Sequence, residues 1–471
     1  MARNKKQCYP NFDAFIDEIE KNGITPELLS KIIDRHRPNA KYNEALFNRY
    51  TTTDGSLPIF KRKPRFEEDK PINNKINNDF FGEIVDFKTG YFAGEPITYG
   101  YSTTEEAKET TGSSEAIEAA TKVLTDFTTR NNMFGCDMEV TKYASIYGYC
   151  GRLFYIDLDG NERVMPVHGY ETIILSKTDI SEPQYAIRYY PVYDINNVES
   201  WVVEFYDNTN IYTYKGYLSK LSLEDTKPHM FDYCPLQGIA NNKEMIGDAE
   251  KVLSLIDDYD KVLSDNSNEI EAFVHAYLIF EGLRIDDDTI KKGQKAGSFV
   301  FPAAGTQQGK AYWLTKNIND AFTEHHLQRL EDNIYRFSKT PNMGDESFGA
   351  ASGVSLKFKL HGLEVKCGTF QAKMMDAAQY MWKVLASAWN KKTIAFDPLQ
   401  VTMDFKRAFP QDDLQIAQTM QAEIAAKVPV KYAHRHITDD PDWLENMRKE
   451  EQEEIVDMYP DSLNNEDKDG E

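Results

Sequence analysis

Between Asp248 and Phe280, the residues Val252, Ile256, Tyr259, Leu263, Asn266, Ile270, Phe273 and Tyr277 recur at alternating spacings of four and three. That is the seven-residue repeat of helices packed side by side, and it predicts a helix about 50 Å long. Such a length exceeds the usual globular helix and calls for a lateral partner. Asn266 interrupts the apolar seam, a position that either fixes register or forms a solvated notch. The same stretch carries eight acids (Asp248, Glu250, Asp257, Asp258, Asp260, Asp265, Glu269, Glu271) against Lys251 and Lys261. Its exposed face is therefore expected to be strongly negative.

The sequence beyond this helix turns back on itself. After the acidic run Asp286, Asp287 and Asp288 come two strand candidates, Gly297 to Phe301 and Lys310 to Thr315, joined by a glycine-containing turn. A second helix is predicted from Asp320 to Lys339, with Phe322, Leu327, Leu330, Ile334 and Phe337 on one broad face. Thr340 to Gly353 reads TPNMGDESFGAASG, with a proline, glycines and no apolar period, which predicts a mobile loop. In the third helix Leu356, Leu360, Leu363, Phe370, Met374, Met381 and Leu385 keep a heptad-like spacing. The alternation of Val354, Leu356, Phe358 and Leu360 also fits a strand, but the wider period continues to Trp389 and favours the helix.

Around this segment the chain reads as α+β. Near the N-terminus, Phe12, Phe15, Ile16 and Ile19, then Leu28, Leu29, Ile32 and Ile33 after Thr25-Pro26, mark two helices in a region that nets +3. Its clusters at Arg35/Arg37 and at Lys61, Arg62, Lys63 and Arg65 form either a solvated basic face or a contact for an acidic partner. Ile76, Phe80, Ile84 and Phe87 predict a helix that stops at Gly90 to Pro96, and a helix pair is predicted over 114–150. Strand segments at Arg152 to Asp157, Glu171 to Leu175, Tyr185 to Tyr190, Trp201 to Tyr206 and Ile211 to Tyr214, with turns at Asp159-Gly160 and Asp207-Asn208, imply an antiparallel meander. Val401 to Phe405 reads as one returning strand, followed by helices over Asp412 to Lys427 and Pro441 to Val456.

The charge narrows the function. A net charge of −22 over 471 residues argues against a protein that wraps nucleic acid by neutralising its phosphates. Residues 450 to 471 hold ten acids and one lysine, which predicts a disordered acidic tail, yet the rest of the chain is acidic too. Five scattered cysteines suggest free thiols and a reducing compartment, so a cytoplasmic protein is expected. No signal peptide and no membrane-length apolar run is read in the sequence.

Reaction chemistry finds little support. The glycines of the 340–353 loop are not followed by the Gly-Lys-Ser/Thr of a phosphate loop, and Gly-x-Ser-x-Gly and His-Glu-x-x-His are missing. His325-His326 and His434-Arg435-His436 lack partners at metal spacing, and Asp286 to Asp288 lack the glycine and glutamate of a calcium loop. No catalytic, cofactor-binding or metal-binding residue is assigned. An acidic surface turn suits Asp286, Asp287 and Asp288, and Tyr312 and Trp313 suit either a subunit contact or partner docking.

Three blocks in this order, GYFAGEPITY at Gly90 to Tyr99, LIDDYDKVLSDNSNEIEAFVHAYLIF at Leu255 to Phe280 and SGVSLKFKLHGLE at Ser352 to Glu364, resemble the portal proteins of siphovirus-type phages of Gram-positive bacteria. The resemblance implies the portal fold as a ring, twelvefold in the virion. It implies an N-terminal region and mixed α/β wing (1–245), a first stem helix (246–280), a small β-containing clip (281–316) and a second stem helix (317–339). A tunnel loop (340–353), a wing helix with a returning strand (354–410), a helical crown (411–449) and the acidic tail (450–471) follow.

The implied function is a channel at the capsid vertex through which double-stranded DNA is packaged and ejected. Terminase large subunit, head-completion adaptor, major capsid protein and scaffolding protein are the implied partners. A wall of carboxylates would oppose tight phosphate binding, and Asp257, Asp258, Asp260, Asp265, Glu269 and Glu271 are the candidate lining residues, unless some pair with a neighbouring subunit. Pro341, Asn342, Met343, Gly344, Asp345, Glu346, Ser347, Phe348 and Gly349 would form the constriction. Lys357, Lys359 and Lys366 are either a solvated face or transient phosphate contacts. Two other readings stay open, a metal-dependent DNA-processing enzyme and another virion ring such as an adaptor.

Overall fold

The computed structural model describes residues 4–5, 7–53, 55, 57–64, 72–102, 114–274, 277–281, 288, 291, 310–314, 320–344, 353–408 and 413–428. The chain forms two compact units, residues 1–342 with 360–408, and residues 343–359 with 409–471.

Helices α1 (Asp13–Asn22) and α2 (Pro26–Tyr50) open the first unit. Thr25 caps α2 by accepting from the Leu28 N–H, and Pro26 at the first helical position has no N–H to satisfy. Next come α3 (Phe80–Ala93), β1 (Thr98–Tyr101), α4 (Ser114–Arg130) and α5 (Met133–Tyr147). Gly148 ends α5 at φ +87°, where its N–H bonds the Ala144 carbonyl and a Cβ would fall 2.1 Å from the Met245 carbonyl oxygen. Only glycine fits that corner.

The β region has eight strands: β2 (Tyr149–Ile156), β3 (Glu162–Val167), β4 (Thr172–Leu175), β5 (Tyr185–Tyr193), β6 (Glu199–Tyr206), β7 (Asn210–Tyr217), β8 (Lys220–Pro228) and β9 (Leu236–Ala240). Strands β4 to β8 form the antiparallel meander in sequence order, and β2 lies between β3 and β9 in a second sheet. Residue alternation assigns the meander's two faces. Ile173, Leu175, Ile187, Val203 and Phe205 pack under α1 and α2, whereas Ile174, Ala186 and Tyr206 pack with Tyr149, Leu153 and Leu236 of the smaller sheet. The turn signals locate the meander, but β3, β8 and β9 have too little contrast to read from sequence.

The remaining elements of the first unit differ from expectation in one place. A 3₁₀ turn at Glu250–Val252 leads into α6 (Leu253–Val274), and Tyr277–Glu281 is strand β10 rather than the last turn of the helix. Strand β10 pairs antiparallel with β11 (Lys310–Leu314), with Ile279 opposite Tyr312 and Leu278 opposite Trp313. The expected Lys310 strand is present, but the partner found for it is β10; the proposed strand at Gly297 to Phe301 lies outside the described residues. The sequence YLIFE favours a pleated strand, and an apolar strand residue satisfies a heptad count as well as a helical one. Helix α7 (Asp320–Ser338) agrees with the sequence reading to one residue.

Helix α8 (Gly353–Lys391) settles the ambiguity after the loop in favour of helix. Its Phe370, Met374, Met381, Trp382, Leu385 and Trp389 are fully buried or nearly so, and the last four join Phe127 and Phe154 in the largest core. Strand β12 (Val401–Asp404) is the predicted returning strand and pairs with β1. In the second unit the first turns of α8 and α9 (Asp413–Ala425) are described, while the predicted helix at Pro441 to Val456 and the tail lie outside the described residues.

Candidate functional site

Helices α6 and α7 pack against each other, and their common base buries Val252, Leu253, Ile256, Ile334 and Tyr335 with Phe80, Phe81 and Ile84 of α3. Above that base the buried face of α6 becomes polar. Asp260 is 3% exposed and Ser264 is fully buried, whereas Ile270 of the expected apolar seam is 66% exposed.

The covering element explains the change. Residues 72–78 run along α6 in extended form and use α6 side chains as hydrogen-bond acceptors. The Asn78 N–H donates to Asp260 Oδ1 at 2.8 Å, the Ile76 N–H to Ser264 Oγ at 3.0 Å and the Asn74 N–H to Asn268 Oδ1 at 2.6 Å. Four helical residues rise about 6 Å and two extended residues about 6.6 Å, so acceptors at i, i+4 and i+8 meet alternate N–H groups of the strap. An apolar seam would have left those N–H groups unpaired. The Asn74 side-chain amide also donates to Glu271 Oε2 at 2.7 Å.

This strap changes the reading of the acids. Asp257 pairs with Arg49 at 2.6 Å, Asp265 pairs with Arg62, and Asp260 and Glu271 accept from the strap. At least four of the six acids put forward for the channel wall are therefore engaged within the chain itself. Burial raises the Asp260 carboxyl above its ordinary value, with the Asn78 hydrogen bonds opposing and Asp257 adding to the rise. Asp258 is about half exposed and lies 3.4 Å from His326 Nε2 of α7. Glu269 sits eleven residues, close to three turns, further along the same face.

Asp248 and Glu250 were also expected on the negative surface, and both are buried. Glu250 accepts from the Gly247 N–H at 2.6 Å and from the Tyr42 hydroxyl at 3.0 Å. Asp248 lies 2.8 Å from Lys88 Nζ and 3.3 Å from Lys366 Nζ, and accepts from Ser145 Oγ at 2.7 Å. Burial disfavours its charge, but the two lysines and the Lys88 and Ser145 hydrogen bonds outweigh that and hold the carboxyl well below its ordinary range. Lys366 is thus no part of a freely solvated helix face; its side chain is 17% exposed. Lys357 is exposed and Lys359 is intermediate, both on the α8 turns of the second unit.

Of the constriction residues, Pro341 is buried and the Asn342 amide donates to Glu331 at 3.0 Å. Met343 and Gly344 are exposed, and Asp345, Glu346, Ser347, Phe348 and Gly349 lie outside the described residues. Asp288 is exposed; Asp286 and Asp287 fall outside the described residues. Among the described residues there is no group of three His, Cys, Asp or Glu side chains able to hold a metal ion, and no helix long and apolar enough to cross a membrane.

Sequence reasoning missed the strap and the buried charges. The apolar period counts Ile76 in the helix that stops at Gly90, but α3 begins at Phe80 and Ile76 lies in the extended strap, where its N–H bonds Ser264. Lys88 carried a clearer signal, as the one cation in the otherwise apolar and acidic α3.

The architecture of paired helices joined through a small β pair is matched by similarity along the chain. Residues 29–457 match the family model described as phage portal protein, SPP1 Gp6-like. The portal protein of Bacillus phage SPP1 is 22% identical over 470 residues, covering 93% of this chain and 89% of that protein. The portal protein of Clostridium phage phiCD119 is 23% identical over 425 residues, covering 83% and 88%. With the match extending over most of its length, the chain belongs to the phage portal protein family.

Proposed function

We propose that this chain is the subunit of a ring, twelvefold in the virion, that forms the DNA channel at the capsid vertex. Double-stranded DNA passes through it during packaging and ejection. The observation that carries this reading is the family match over 29–457, in a chain where the antiparallel pair β10–β11 lies in sequence between helices α6 and α7. In this reading residues 1–245 and 354–410 form the wing, 281–316 the clip, 340–353 the tunnel loop and 411–449 the crown. The ring docks the terminase large subunit, then the head-completion adaptor, and is built into the shell with major capsid and scaffolding proteins. The clip, with Tyr312, Trp313 and the acidic turn Asp286 to Asp288, is the docking tip.

Asp257, Asp260, Asp265 and Glu271 have partners on the N-terminal segment; Asp258, about half exposed, is the candidate carried forward for the channel wall, together with Glu269 on the same face. A carboxylate wall leaves a hydrated gap around DNA instead of binding it. Lys357 and Lys359 remain the candidates for transient phosphate contact beside the loop.

Electron microscopy of the purified protein tests the ring. Particles with a central hole are expected, and a monodisperse monomer under every assembly condition would overturn the proposal. In a packaging assay, Asp258→Asn with Glu269→Gln should slow DNA entry, and an unchanged rate would remove these two residues from the wall.

A further inference from the structure

Where the 3₁₀ turn before α6, the end of α7 and the flank of α8 meet, a cavity of about 220 Å³ opens beside the buried Asp248. Lys251, Lys339 and Lys366 line it, with Glu244 and Asp248 as the acids. Behind it, Lys88 is fully buried and also bonds Asn241. Lys88 and Lys366 therefore share the Asp248 carboxylate, while the other buried acid, Glu250, is turned to the Gly247 N–H and the Tyr42 hydroxyl. Lys366 Nζ is itself buried and, although 3.3 Å from Asp248 Oδ1, makes no hydrogen bond in line. Lys251 and Lys339 at the rim are exposed and have no ion-pair partner among the described residues. A positive cavity in a chain of net charge −22 is not produced by composition.

We propose that this cavity is a phosphate-binding site, in which Lys366 supplies the inner contact and Lys251 and Lys339 close on the group from the rim. Lysine binds phosphate as a compact point charge with rotatable donors, so three ammonium groups can converge on one tetrahedral group. Burial lowers the Lys366 ammonium below its ordinary value and neighbouring Lys88 adds to that, while Asp248 opposes it. An incoming phosphate would restore the charge balance. The phosphate comes either from the backbone of DNA, a source that rests on the channel reading, or from free inorganic phosphate.

Thermal unfolding of the full chain in potassium phosphate and in potassium chloride at equal ionic strength provides the test. Phosphate at tenfold its dissociation constant should raise the wild-type Tm by about 1–2 °C over chloride. Lys251→Gln with Lys339→Gln, both exposed, should abolish the rise. Lys366→Met should abolish it as well. Equal Tm values in the two salts would overturn the proposal. So would a Lys366→Met protein that is less stable in chloride yet still responds to phosphate, since Lys366 would then be only a structural partner of Asp248. Fluorescence anisotropy with a labelled DNA duplex separates the sources. Weaker binding by the rim double variant, with competition by phosphate, identifies the DNA backbone; a phosphate response with unchanged duplex binding identifies free phosphate. A failed ring in electron microscopy would leave the thermal result standing.

Discussion

His36 lies fully buried between the hydroxyls of Tyr189 and Tyr149, at 2.9 and 2.8 Å from its two ring nitrogens. Burial lowers its pKa from 6.5 to about 3, against a small opposing contribution from Asn39. As pH falls below 6.5 the unfolded chain takes up a proton that the folded chain refuses, so this group removes stability by at most about 1.4 kcal/mol per pH unit. A His36→Gln variant should show a flatter dependence of unfolding free energy between pH 6.5 and pH 4, measured by guanidinium denaturation; an unaltered slope would mean that the imidazole titrates elsewhere. Asp248 has the depressed pKa of a paired carboxylate. Its stabilisation is present above about pH 3.8 and is lost as pH falls further. Asp248→Asn leaves Lys88 buried without its counter-charge and should cost about 3–5 kcal/mol in the same denaturation experiment. Neither residue's environment is legible locally, since a histidine or aspartate beside a helix is usually solvated. What buries them is the packing of α2 on the meander and of α3 and α8 around the base of α6.

At the scale of elements, the strap and α6 form one polar unit. Removing Ser264 Oγ or Asn268 Oδ1 deprives a strap N–H of its acceptor, at about 1 kcal/mol for each lost bond. Ser264→Ala with Asn268→Ala should therefore speed amide exchange at residues 72–78 while exchange within the core of α6 stays slow. Equal protection of the strap in wild type and variant would refute the ladder as its anchor. The heptad reading located α6 but misjudged which face is covered, because it scores apolar residues and this face is built from Asp260, Ser264 and Asn268. Helix α7, the continuation of α8 and the order of the meander were readable because their periods of 3.6 and 2 persist over many residues. Strand β10 was not, since five apolar residues cannot report whether they end a helix or begin a hairpin.

For the whole molecule, Arg49 of α2, Arg62 and the 72–78 strap all bond to α6, so the N-terminal part of the chain is tied to that helix. In the proposed ring, that arrangement lets α6 keep only part of its negative charge for the channel and use the rest to hold its own N-terminal segment. The basic clusters near the N-terminus thereby find one acidic partner inside the chain: Arg62 meets Asp265. Among the described residues, Ile270 of α6 and Phe322 and Phe337 of α7 are exposed, at 66%, 71% and 54%, and in the proposed ring a neighbouring copy would pack on them.

Sequence alone determined the class of the fold and the positions of the long helices, the meander and the returning strand. These follow from periodicity and punctuation, which are local and repeat along the chain. Tertiary structure decided how the acidic helix uses its carboxylates, turning a predicted uniform negative face into ion pairs and a hydrogen-bonded ladder. A carboxylate reads the same in sequence whether water, an arginine or a backbone N–H will face it, and only the packing of distant segments chooses among them.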